Sequence, residues 1–80
     1  MMAVTIALAS TLNLGMTKSP KGDVPYWRVT FQLDGPEFLS APISIAVRGP
    51  TTPREAQKTA YKMLREFLSE AYATAKNQEV

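Results

Sequence analysis

At Gly49-Pro50-Thr51 the hydrophobic period of this chain changes from two residues to about 3.6. Before that point apolar and polar residues alternate as in strands. After it they repeat as on one face of a helix. Few folds satisfy that order: a sheet is built first and a single helix then covers it. In residues 2–14 the even positions read Met2, Val4, Ile6, Leu8, Ser10, Leu12 and Leu14, while the odd ones are only Ala, Thr or Asn. This predicts a half-buried strand with its even residues inward and a bend at Ser10. A second strand is expected over 26–33, with Trp27, Val29, Phe31 and Leu33 inward and Tyr26, Arg28, Thr30 and Gln32 outward. Asp34-Gly35-Pro36 signals a short turn. A third strand over 38–48 turns Leu39, Ala41, Ile43, Ile45 and Val47 inward. Pro42 has no N–H to donate, which confines that strand to a sheet edge. Residues 15–25 hold two Gly, two Pro and two Lys and read as a mobile loop.

Thr52-Pro53-Arg54-Glu55 is a helix start. Thr52 suits the N-cap, Pro53 the first helical position, and Glu55 the reciprocal half of a capping box. The helix is expected over 53–75, with a frayed tail at 77–80. At 1.5 Å per residue it is more than about 30 Å long, enough to cross three strands and overhang them. Its apolar side collects Ala56, Ala60, Met63, Leu64, Phe67, Ala71 and Ala75, with Leu68 at the border. The predicted fold is α+β: a three-stranded antiparallel meander with one long C-terminal helix on one face, in a single domain. The other sheet face stays wet and one sheet edge stays open.

Function classes are narrowed by what the 80 residues lack, namely any His or Cys. That excludes a disulfide framework, a Cys or His metal site, and catalysis by either residue. The carboxylates Asp23, Asp34, Glu37, Glu55, Glu66, Glu70 and Glu79 fall in turns, at a helix cap, on a solvated helix face or in the tail. No nucleophile elbow and no Gly-rich phosphate loop is present. The sequence therefore predicts a protein that is no enzyme and uses no cofactor. The apolar run Ala3–Ala9 has no preceding Lys or Arg and is too short to span a bilayer, so a cytoplasmic protein with no membrane partner is expected.

Binding is the remaining class. Tyr26, Arg28, Thr30 and Arg48 alternate onto the wet sheet face, and an exposed Tyr–Arg pair is the composition of a protein-interface hot spot. Arg54, Lys58, Lys62 and Arg65 share one helix side, with Tyr61 and Tyr72 at its boundary; such a stripe tracks phosphates or merely solvates the helix. Lys18 and Lys21, in the predicted loop, are candidates to assist it. The net charge of +2 permits nucleic acid as a partner without requiring it. An open edge, together with Tyr61, Leu68 and Tyr72 on the helix, also allows a homodimer or a self-assembling subunit.

The run Thr52-Pro53-Arg54-Glu55-Ala56 resembles the opening of the last helix in the double-stranded-RNA-binding fold. In that family Arg54 would occupy a phosphate-contacting position and Ala56 the small packing position, while Pro53 replaces a basic residue. The family's first helix has no counterpart, since residues 2–14 read as a strand. A truncated three-strand, one-helix form is similar to the HicB-type antitoxins, whose helix pattern Thr52, Glu55, Ala56, Ala60, Leu64 and Leu68 follow here. In size and lack of catalytic groups the chain is also similar to phage-encoded inhibitors of the anti-CRISPR kind. These resemblances imply a small non-catalytic module that acts on a protein partner.

Overall fold

A computed structural model describes residues 4–36 and 40–78 of the chain. Four elements follow one another: β1 (Thr5–Ser19), β2 (Gly22–Asp34), β3 (Ser40–Arg48) and α1 (Pro53–Asn77). The strands form an antiparallel sheet in the order β1-β2-β3, and α1 packs on one face of it. This is the β-β-β-α arrangement expected from the change of period, and Pro42 lies on an edge strand. The expected strand residues 2, 3, 38 and 39 and the tail residues 79–80 lie outside the described residues.

Two expectations are corrected. Residues 15–25 are not a loop. β1 runs on to Ser19 and β2 begins at Gly22, so only Pro20 and Lys21 connect them. Ser19-Pro20-Lys21-Gly22 carries the residue preferences of a type I turn: Ser at the first position, Pro at the second, Gly at the fourth. Ser19 Oγ fastens it, accepting from the Lys21 N–H at 3.3 Å and donating to the Gly22 carbonyl at 2.7 Å. Gly22 supplies the positive φ of 115° that the return into β2 needs. The result is a two-stranded arm that extends past the end of β3, where Tyr26 pairs with Arg48.

The second correction concerns which way β1 faces. Ile6 and Leu8 pair with Leu33 and Phe31, so they share the helix side as expected. The register then shifts between Leu8 and Ser10, leaving Ala9 as an extra residue, one position before the predicted bend. A side-chain period of two converts one extra residue into a change of face. Beyond it Thr11 and Asn13 pair with Val29 and Trp27 on the helix side, while Leu12 pairs with Arg28 on the open side. The bond from Gln57 Nε2 of α1 to Thr11 Oγ1, at 2.9 Å, fixes that assignment. A second shift follows between Asn13 and Met16, where Gly15 has a φ of 93° and its N–H donates to Asn13 Oδ1 at 2.7 Å.

The core is small: Trp27, Val29, Phe31 and Val47 from the sheet, Ala56, Ala60 and Leu64 from the helix. Leu33, Ile43, Ile45 and Leu68 pack around it, half-buried. Trp27 also donates its Nε1–H to the Pro50 carbonyl at 2.8 Å, tying the β3–α1 connection to the sheet. The buried helix seam follows i, i+4 spacing and is narrower than the apolar side read from the sequence. Met63 and Phe67 are 39% and 55% exposed, and Ala71 and Ala75 are exposed too. Three strands span only about 10 Å across, so one ridge of the helix finds sheet beneath it. Small Ala56 and Ala60 let that ridge sit close.

Helix initiation follows the capping signature with one change. Thr52 is the N-cap, with extended backbone (φ −126°, ψ 153°), and its Oγ1 accepts from the Glu55 N–H at 3.2 Å. Glu55 Oε2 accepts not from Thr52 but from the Thr51 N–H, at 3.4 Å. Thr52→Ala removes an acceptor for an otherwise orphan N–H and is expected to lower stability by about 1 kcal/mol. Urea unfolding of the variants beside the wild type checks this, with Thr52→Ser, which keeps the hydroxyl acceptor, expected to keep most of the stability. The helix ends later than predicted: Asn77 is helical and Gln78 caps it, donating its N–H to the Thr74 and Ala75 carbonyls. The arm at one end and the helix overhang at the other stretch the molecule to 46 × 25 × 15 Å. No helix among the described residues is long and apolar enough to cross a membrane.

Candidate binding surface on the open sheet face

The face turned away from α1 divides into two parts. Toward the Thr5–Asp34 end it is a closed polar network. Thr30 Oγ1 and Ser44 Oγ lie 3.0 Å apart in a hydrogen bond, and Gln32 Nε2 donates to Ser40 Oγ at 2.6 Å and to Asp34 Oδ1 at 3.3 Å. Thr5 Oγ1 donates to the Asp34 carbonyl at 3.4 Å. Groups that already satisfy one another offer little to a partner.

The other end differs in kind. Tyr26 lies directly opposite Arg48 in the β2–β3 ladder. Arg28 stands two residues along β2, between Leu12 of β1 and Ala46 of β3. Two strands therefore bring Tyr26, Arg28 and Arg48 onto one patch, and the β1 bulge adds Leu12 from the third. Arg28, Arg48 and Leu12 are exposed, Leu12 by 51%, and Tyr26 is half-buried. Tyr, Arg and an exposed Leu on one ladder have the composition of an interface hot spot. Of the four residues expected here, Thr30 sits at the border, engaged with Ser44. Alternation alone does not find Leu12, because its even position assigns it to the core; only the pairing with β2 turns it outward.

The basic helix residues are arranged differently. Arg54, Lys58, Lys62 and Arg65 are all exposed on α1. From the first to the last they extend about 16 Å along the helix axis. Lys18 and Lys21 belong to the hairpin arm rather than to a loop, and Lys18 lies across from Asp23. The arm projects beyond the end of the sheet where α1 begins. The four helix residues thus share one element, and Lys18 and Lys21 belong to another. A shallow open concavity is lined by Met63, Arg65, Glu66, Phe67, Ser69 and Glu70, all from α1. It has no wall from the sheet.

Fold and surface together define a small α+β chain with one helix-covered sheet face and one exposed face. No family model, no curated protein and no solved structure matches this chain.

Proposed function

We propose that this chain is a non-catalytic binding module that engages a protein partner through the open sheet face, in the manner of a HicB-type antitoxin or a small phage-type inhibitor. The observation that carries the reading is the patch of Tyr26, Arg28 and Arg48 in direct ladder register, with Leu12 turned onto it by the bulge at Ala9. An interface core is enriched in Tyr and Arg and depleted in Lys and Glu, and that is the composition of this patch. Its sheet setting holds the anchors in place before binding. The experiment is capture of the partner from nuclease-treated source lysate with wild-type chain and with the double variant Tyr26→Ala/Arg28→Ala. Retention of one stoichiometric protein by the wild type and its loss from the variant support the reading; equal retention removes it.

A second reading, nucleic-acid binding by Arg54, Lys58, Lys62 and Arg65 with help from Lys18 and Lys21, is favoured by one observation. The four helix residues are all exposed along one element whose opposite side is fixed to the sheet. Neutralising Z phosphates gives an affinity that falls with salt, with a logarithmic slope of about −0.9Z on duplex DNA or somewhat less on single strands. If this reading holds, fluorescence anisotropy with labelled duplex and single-stranded oligonucleotides shows a slope near −3 to −4. Lys58→Glu/Lys62→Glu then abolishes binding. Absence of binding at low salt dismisses it.

A further inference from the structure

We propose that two copies of this chain pair antiparallel through the outer edge of β1, forming a continuous six-stranded sheet with both helices on one face. In the order β1-β2-β3, β1 and β3 are both edges. They are not guarded equally. β3 is nine residues long, contains Pro42 and ends in Arg48. β1 is 15 residues long, and from Val4 to Thr17 the sequence has no charge and no proline. Apart from the bulges, that stretch lacks the devices that keep an edge strand from pairing; Lys18 lies beyond it, in the arm. The bulges leave Thr5–Leu8 as a regular segment, and its helix-side residues Ile6 and Leu8 are 43% and 39% exposed.

The exposed surface leaves room for such an interface. A compact chain of 8.8 kDa exposes about 4,800 Å². This one exposes 6346 Å². The surplus is about twice the roughly 800 Å² that each partner contributes to a standard interface. The arm and the helix overhang account for part of it, and the apolar strip along β1 is the part that a partner strand closes.

A second copy fits that strip because an antiparallel pair of identical segments is self-complementary about a two-fold axis. With the axis perpendicular to the sheet, both helices stay on the same face. The floor between them is Ile6 and Leu8 of each copy. Tyr61 overlooks it: its ring stands 4.7 Å from that of Phe31, the ladder partner of Leu8, and it follows by one turn Gln57, which reaches β1. Tyr61 is 42% exposed in the single chain. The pairing joins the two open faces and sets their Tyr26–Arg28–Arg48 patches toward opposite ends. It does not rest on what those patches bind.

The test is sedimentation equilibrium or light scattering across a concentration series up to several hundred micromolar. Wild type is expected at twice the 8.8 kDa chain mass. Ile6→Lys and Leu8→Lys, at positions outside the buried core, are expected to stay folded by circular dichroism and to weaken dimerisation at least tenfold. Leu12→Lys, on the opposite face, is expected to leave the dimer intact. A wild type that stays monomeric over the whole range overturns the proposal. So does a dimer that survives folded Ile6→Lys and Leu8→Lys, or one that Leu12→Lys dissociates while they do not.

Discussion

Phe31→Ala is expected to cost about 3–5 kcal/mol of folding stability, the largest single effect in the molecule. Phe31 is 0% exposed and central in every direction. On β2 it stands between Leu8 of β1 and Ile43 of β3, beneath α1, with the Tyr61 ring 4.7 Å away at 58°. Truncation removes the transfer energy of the ring and leaves a cavity that sheet and helix close only partly. A chain of this length has a total stability of roughly 4–12 kcal/mol. The variant is therefore marginal or largely unfolded. Urea melts at one fixed chain concentration read this directly, since any self-association makes stability concentration-dependent. Phe67→Ala is the control. Phe67 lies on the apolar side of the helix by sequence but is 55% exposed, so its loss is expected to cost under about 1 kcal/mol. Equal losses at the two positions would mean that α1 packs through a different ridge.

The second large effect concerns partner affinity. On the proposed reading Tyr26→Ala and Arg28→Ala each remove an anchor, and a hot-spot truncation costs about 2 kcal/mol or more, roughly 30-fold in Kd. The two residues are neighbours on one face of β2 and their losses need not add. The double variant is expected to bind at least about 100-fold more weakly. Both side chains lie outside the buried core, so the melting curve should move little. Lys58→Glu/Lys62→Glu, on the helix and away from the open face, is expected to leave partner affinity within about threefold. Titration calorimetry or surface plasmon resonance with the captured partner measures all of these. An affinity that follows the helix charges instead of the sheet residues transfers the site to the basic stripe.

What the sequence shows, and what it hides, has a physical basis in particular residues. The start of α1 is legible because Thr52, Pro53 and Glu55 each act locally, through one cap and one backbone preference. The inward row Trp27, Val29, Phe31 is legible because nothing interrupts the alternation of β2 there. The arm is illegible from composition, since Gly, Pro and Lys describe a mobile loop and a type I turn equally well. Only the order Ser19-Pro20-Lys21-Gly22 distinguishes them. The facing of β1 is hidden for a different reason. Apolar alternation continues through Ala9 as if no residue were extra, and only the partner strand shows that the face has changed. That change moves Leu12 from the expected core to the candidate site. Periodicity places Met63 and Phe67 inward because it counts apolar residues, whereas the width of the sheet beneath decides which of them are covered.

The most direct measurement is partner capture from nuclease-treated lysate, wild type beside Tyr26→Ala/Arg28→Ala, with bound protein quantified against bait. A protein partner held by the open sheet face predicts one stoichiometric band with the wild type and its loss with the variant, while Lys58→Glu/Lys62→Glu retains it. A band held equally by wild type and Tyr26→Ala/Arg28→Ala contradicts it, as does material that is recovered only when nucleic acid is left intact.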